Sequence, residues 1–208
     1  MKISEKLKSF LEDRSNRELL NNYNFKELYR KLLTQGTTPG IIGEFTSLMY
    51  EIDVDPLLYL DEVPNKFLLY GENVKNVEIP TNIISIGGYA FYGCKSLTNV
   101  TIGNSVTSIS YSAFYDCSSL TSITIPNSVT SISDWTFRDC SGLKNVIIGN
   151  GVTSIGKRAF RGCNKLIDIT YRGTINQWDT IRKNEQWKTD SYIKTIHCTD
   201  GDIKLYGW

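Results

Sequence analysis

The chain has 208 residues, with 23 Lys and Arg against 22 Asp and Glu, 16 Gly, 5 Pro, 5 Cys and 40% apolar residues, enough to bury the core of one or two domains. A formal net charge of +1 removes the simplest electrostatic case for nucleic acid or an anionic membrane, since both rest on a surplus of clustered Lys and Arg. No apolar run approaches the roughly 20 residues of a bilayer span, and Met1 to Lys8 carries charges where a signal peptide has its apolar stretch, which reads as a cytoplasmic chain.

Residues 1–72 hold 9 basic and 12 acidic residues, net −3, and no repeat. Ile3, Leu7, Phe10 and Leu11 fall on one face at helical spacing, as do Leu20, Tyr23, Leu28 and Leu32 with a break near Asn22 to Asn24. Thr38-Pro39 and Asp55-Pro56 set a capping residue before a first-turn proline, opening helices near 40–52 and 56–62. The reading is a small N-terminal helical domain of about four helices, either a polar cap on the remainder of the chain or a second interaction or dimerisation surface. Lys66 to Tyr70 reads as an extended lead-in.

Cys94, Cys117, Cys140 and Cys163 are each 23 residues apart, and cutting the chain at that period gives four units without insertion or deletion. They are KNVEIPTNIISIGGYAFYGCKSL (75–97), TNVTIGNSVTSISYSAFYDCSSL (98–120), TSITIPNSVTSISDWTFRDCSGL (121–143) and KNVIIGNGVTSIGKRAFRGCNKL (144–166). This stretch carries 8 basic against 4 acidic residues, net +4. In the second unit Val100 and Ile102 alternate with Asn99 and Thr101 as a half-buried strand does. A second short extended piece holds Val106 and Ile109, and Ala113, Phe114, Cys117 and Leu120 recur at a spacing near three that suits a helical turn. One such unit buries too little apolar surface to offset the ordering of its backbone, so units must stack about 4.8 Å apart, Val100 on Val77 and Ile123, Phe114 on Phe91 and Phe137. The expected product is a right-handed solenoid with one continuous parallel sheet.

The pattern I-P-x-x-V-x-x-I-x-x-x-A-F-x-x-C-x-x-L, seen in Ile125-Pro126-Asn127-Ser128-Val129-Thr130-Ser131-Ile132, resembles the BspA-like leucine-rich repeats of bacterial cell-surface and mobile-element proteins. The resemblance implies a curved leucine-rich solenoid used for protein or surface recognition, with no catalytic residues to carry over; with the helical segment 1–72 ahead of a solenoid over 73–208, the chain reads as α+β. It leaves three functional settings: a module that binds a protein partner, a surface adhesin or carbohydrate binder, and a phage or mobile-element inhibitor of a host protein.

From Ile167 a degenerate fifth unit leaves the pattern, and 167–208 reads as a C-terminal cap. Trp178, Ile181 and Trp187 supply large apolar groups over Leu166 and Phe160, and Ile193 to Cys198 with Ile203 to Tyr206 flank Thr199-Asp200-Gly201-Asp202 as a hairpin.

Chemistry is sparse. The only histidine, His197, lies next to Cys198, but a strand sends the two to opposite faces, which argues against zinc and against a Cys-His nucleophile. The four period cysteines read as buried, reduced thiols. No dinucleotide, P-loop or zinc-protease motif occurs, so neither a cofactor nor an enzymatic activity is expected.

Columns that change between units are those the core does not dictate. The outward sheet positions, such as Asn99 with Thr101 and Ser122 with Thr124, are small and polar. The positions flanking the recurrent Phe read Tyr89 and Tyr92, Tyr111 and Tyr115, Trp135 and Arg138, then Arg158 and Arg161 with Lys157 alongside. Tyr, Trp and Arg are the residues enriched in binding hot spots, so this ridge, aromatic first and basic last, is the candidate partner-binding surface; its alternative role is mutual stacking that stiffens the solenoid. Lys157, Arg158, Arg161 and Lys165 form the one small basic patch available to a nucleic acid.

Overall fold

A computed structural model describes residues 5–21, 31, 62–63, 75–79 and 81–205. It holds two short N-terminal helices, α1 (Glu5–Glu12) and α2 (Arg14–Asn21). They are followed by β1 (Glu62–Val63) and then by paired strands at each period: β2 (Asn76–Glu78) and β3 (Ser85–Ile86), β4 (Asn99–Thr101) and β5 (Ser108–Ile109), β6 (Ser122–Ile125) and β7 (Ser131–Ile132), β8 (Asn145–Ile148) and β9 (Ser154–Ile155). The chain continues through β10 (Asp168–Tyr171), a helix α3 (Ile175–Thr180), β11 (Arg182–Lys183), β12 (Thr195–Cys198) and β13 (Gly201–Lys204).

The architecture is a parallel β-solenoid in which each 23-residue unit is one turn. Instead of one continuous sheet there are two, because each unit lends a strand to both sides of the turn. The first strands build a seven-stranded sheet in the order β13-β12-β10-β8-β6-β4-β2, and the second strands a six-stranded sheet in the order β1-β3-β5-β7-β9-β11. Register follows the period: Val77 lies beside Val100 and Val100 beside Ile123, while Ile86, Ile109, Ile132 and Ile155 follow one another in the second sheet. Alternation puts Val100 inside and Asn99 and Thr101 outside.

The third side is a hydrogen-bonded turn rather than a helix. The N–H groups of Ala113, Tyr115 and Cys117 donate three residues back, and those of Ser112, Phe114 and Asp116 donate to Asp134, Thr136 and Arg138 of the next unit. This alternation forces two left-handed positions into each turn. Tyr89, Ser112, Trp135 and Arg158 have φ of 61°, 51°, 60° and 53°, and Gly93, Asp116, Asp139 and Gly162 have φ of 71°, 58°, 59° and 73°. The second column carries the residue types that tolerate such a backbone; the first does not.

Inside, Phe91, Phe114, Phe137 and Phe160 stack with centroids 5.0, 5.4 and 5.5 Å apart and planes within 13° of parallel. Cys117, Cys140 and Cys163 are buried beside them, and each thiol donates to the carbonyl of the Phe one unit back, Phe91, Phe114 and Phe137, at 3.0 to 3.1 Å. Burial pushes the Cys94 thiol up to about 11 and those of Cys117 and Cys163 well above their ordinary value.

The sheet begins and ends differently from expectation. β1 pairs in parallel with β3 at the 23-residue offset, so the second sheet starts at Glu62, inside the stretch assigned to the helical segment and where the helix near 56–62 was expected to end. The expected helix near 40–52, the break near Asn22 to Asn24 and the Lys66–Tyr70 lead-in lie outside the described residues; α1 and α2 meet at Asp13, whose carboxylate accepts from the backbone of Ser15 and Asn16. At the other end the fifth unit does not leave the solenoid. β10 and β11 add to both sheets, with α3 inserted between them and opened by a capping box of Thr174 and Gln177. Trp187 then takes the place of the recurrent Phe, 6.0 Å from Phe160, and Trp178 and Tyr171 continue the buried aromatic column. The β12–β13 hairpin turns on Thr199 and Asp200 alone, since β13 already begins at Gly201.

Candidate functional site

The residues flanking the Phe column come together along one edge of the solenoid. Position in the turn, not residue type, decides how they align. Tyr89, Trp135 and Arg158 share a column, as do Tyr92, Tyr115, Arg138 and Arg161, each step being one period. Tyr111 stands outside the column of Tyr89: the counterpart there is Ser112, which is fully buried, and Tyr111 sits one position earlier, in the column of Gly88, Asp134 and Lys157. Ser112 shares the left-handed backbone of Tyr89 and Trp135 but has a small side chain, which is buried where they carry rings, and Tyr111 meets both of those rings across it.

The rings form one connected group. Tyr89 meets Tyr92 at 5.7 Å and Tyr111 edge-on at 5.2 Å; Tyr111 meets Trp135 at 5.5 Å; Tyr92 and Tyr115 stack at 4.9 Å with planes 21° apart. The Arg138 guanidinium lies over Tyr115 at 5.1 Å and over Trp135 at 4.8 Å, and its Nε is 3.2 Å from Asp139. Most of these side chains are half-buried, and Tyr92 is the most open at 42%. Because faces are spent on neighbours, the group offers ring edges, hydroxyls and one screened cation to solvent. A hydrogen bond with Tyr111 and partial burial hold the Tyr89 phenol above its ordinary range, and burial does the same for Tyr115 against the opposing pull of Arg138, so both remain protonated donors at neutral pH.

The basic end is less free than its sequence suggests. Arg161 Nε is 2.9 Å from Asp190 of the fifth unit, and Arg158 is half-buried with its backbone N–H on Gln186. Lys157 and Lys165 are exposed. A shallow open cleft of about 370 Å³ runs beside Tyr111, between Ser131, Asp134, Ser154 and Gly156. Among the described residues no group of three or more His, Cys, Asp or Glu could hold a metal ion, and no helix is long and apolar enough to cross a membrane. His197 Nδ1 lies 2.8 Å from Asp202 on the outward face of the sheet.

A family model for the BspA type leucine rich repeat region matches residues 62–182 in six copies, beginning at the first residue of β1. No curated protein matches the sequence. Among solved structures, a leucine rich cell surface protein from Faecalibacterium prausnitzii A2-165 is similar, with 30% identity over 61% of this chain and 33% of that one and a TM-score of 0.55. A leucine-rich repeat protein from Eubacterium ventriosum gives 20% identity, 66% and 36% coverage and a TM-score of 0.56. The pneumococcal vaccine antigen PcpA gives 23% identity, 67% and 34% coverage and 0.54. The chain spans about a third of the length of each of these three.

Proposed function

The chain belongs to the BspA type leucine rich repeat family, and from that membership we propose that it is a non-enzymatic module that binds a protein partner through the ridge of Tyr89, Tyr92, Tyr111, Tyr115, Trp135 and Arg138. The observation that carries this reading is the way the rings are used. A sugar or nucleobase is held on an open aromatic face, but Tyr92 and Tyr115 cover one another and Arg138 covers Tyr115 and Trp135. What the ridge presents instead is a pre-ordered row of hydroxyls and ring edges, which suits the mixed polar and apolar surface of a protein and loses little side-chain entropy on binding. Arg158 and Arg161 extend the same edge as a basic rim that favours an acidic border on the partner. In this reading the segment ahead of β1 and the β12–β13 hairpin at the far end serve as the two caps of the solenoid.

Affinity capture with the purified chain tests it. A partner retained by the wild type and lost with the triple variant Tyr92→Ala, Tyr115→Ala, Arg138→Ala supports the ridge; a partner retained equally by both rules it out. The 30% identity to a leucine rich cell surface protein favours a second setting, in which the same edge is displayed outside the cell. Protease accessibility of the chain on intact cells separates that setting from a cytoplasmic one.

A further inference from the structure

The seven-stranded sheet ends at β13, the only strand in it that runs against its neighbour. Its bonds to β12 settle which backbone groups are occupied. Leu205 donates to the Lys194 carbonyl over 2.7 Å, and in antiparallel register the residues that turn to the same side are Ile203, opposite Ile196, and Gly201, opposite Cys198. Asp202 and Lys204 therefore point their N–H and C=O outward, along an edge that no other described strand covers. Their side chains are about half exposed, at 47% and 58%, and lie on one face: Asp202 sits 2.8 Å from His197 and 3.7 Å from Lys204, and Lys204 Nζ donates to Thr195 Oγ1 over 3.2 Å.

An open edge is ordinarily blunted by charge, because two copies then face each other with like signs. This edge carries one acid and one base placed symmetrically about Ile203. Laid antiparallel on a second copy, with the twofold axis through Ile203, Asp202 comes opposite Lys204 of the second copy and Lys204 opposite Asp202 of the second copy. Each facing pair exchanges two backbone hydrogen bonds and brings opposite charges together on the exposed face. The other end of the sheet does not have this property. At β2 the residues flanking Val77 are Asn76 and Glu78, and the same operation sets an amide against a carboxylate.

We infer that β13 is a self-complementary edge through which two copies of this chain join tail to tail, merging two seven-stranded sheets into one. An open cavity of about 880 Å³ between Lys188, Asp190, Tyr192 and Leu205 borders the edge at its Leu205 end, where this register brings the Thr199–Asp200 turn of the second copy. The contact is small, so the dimer is a weak and concentration-dependent one.

Sedimentation equilibrium of the full chain from about 1 μM to about 1 mM, the range in which a small interface is populated, is expected to show a monomer–dimer equilibrium. Asp202→Lys and Lys204→Asp each set like charges across the axis and are expected to weaken association about tenfold or more, whereas the double swap restores the opposition and with it the dimer. Lys204→Pro removes an outward N–H that the hairpin does not use, and it is expected to abolish the dimer with the His197–Asp202 contact intact. Circular dichroism on each variant establishes that the fold is kept. A chain that stays monomeric up to about 1 mM overturns the inference. So does a dimer that survives Lys204→Pro, or a folded double swap that stays monomeric.

Discussion

The thiol of Cys140 donates to the carbonyl oxygen of Phe114, 3.0 Å away in the preceding unit. The same bond joins Cys117 to Phe91 and Cys163 to Phe137, so the cysteines tie the turn of each unit to the turn before it. Burial raises the thiols of Cys117 and Cys163, and moves Cys94 from its ordinary value near 9 to about 11. A raised thiol stabilises the fold fully below the unfolded value and loses that contribution as pH climbs through the folded one. Stability is therefore expected to fall between about pH 9 and about pH 11, as followed by denaturant midpoints across that window. At pH 8 iodoacetamide is expected to modify the partly exposed Cys198 first and the four buried cysteines only after unfolding, which mass spectrometry of the alkylated peptides reads directly.

Trp135 touches Tyr111, Tyr115 and Arg138 at once, whereas Tyr92 is the most exposed ring of the row. Trp135→Ala is expected to lower stability by about 2 to 4 kcal/mol and Tyr92→Ala by about 1 kcal/mol or less. A double-mutant cycle of Trp135 with Arg138 is expected to give a coupling of about 0.5 to 1 kcal/mol, the size of a half-exposed cation–π contact. A coupling of zero would mean that Arg138 is held by Asp139 alone.

Ser112 is fully buried, left-handed at φ 51°, and its hydroxyl has no hydrogen-bond partner. Ser112→Gly removes both penalties and is expected to raise the unfolding free energy by about 1 kcal/mol, after the greater freedom of glycine in the unfolded chain is set against them. Equilibrium urea unfolding of the two proteins decides it.

Gly149 packs directly on Pro126 of the unit before, and an added Cβ would sit 2.6 Å from the Pro126 carbonyl carbon and from the Asn127 nitrogen. Backbone on both sides leaves nothing to yield. Gly149→Ala is expected to cost about 3 kcal/mol or more, while Gly103→Ala, whose Cβ meets nothing closer than 3.7 Å, costs about 1 kcal/mol or less. Melting temperatures of the two variants should separate clearly.

The hydrogen bond from His197, with help from Lys204, holds the Asp202 carboxyl below its ordinary value. A depressed carboxyl contributes above its unfolded value near 3.8 and loses the contribution as pH falls through the lower folded value. The amide protection of the β12–β13 hairpin should thus be unchanged at pH 5 and begin to weaken as pH falls below about 3.8, whereas Asp202→Asn shows no such step. Hydrogen exchange of the Ile203 amide, which faces β12, reads this end of the sheet alone.

The period made the inner columns legible. Val77, Val100 and Ile123 in one row and Phe91, Phe114 and Phe137 in another follow from a fixed repeat without insertions, because a stacked unit must place like on like. The second sheet was hidden by brevity, as strands of two residues such as Ser108–Ile109 carry no alternation to read. One period before Phe91 and Cys94 stand Leu68 and Gly71, so the unit that β1 opens lacks the marks by which the later units are read. Tyr111 resembles Tyr89 in kind but not in place, since it lies six residues before Cys117 where Tyr89 lies five before Cys94. One signal lay in plain view: Gly93, Asp116, Asp139 and Gly162 form a column of residues that accept a left-handed backbone. The α3 insertion likewise announced itself in the Thr174 and Gln177 spacing of a capping box.

The bonds that join one unit to the next are of the same kind at every junction from 75 to 166, and neither end of the solenoid takes part in them. An in-frame duplication of a single unit would therefore lengthen both sheets, the Phe column and the outer edge together, by about 4.8 Å, without disturbing either terminus. Length along the solenoid axis is thus a quantity that changes in whole steps, separately from the chemistry of any one rung.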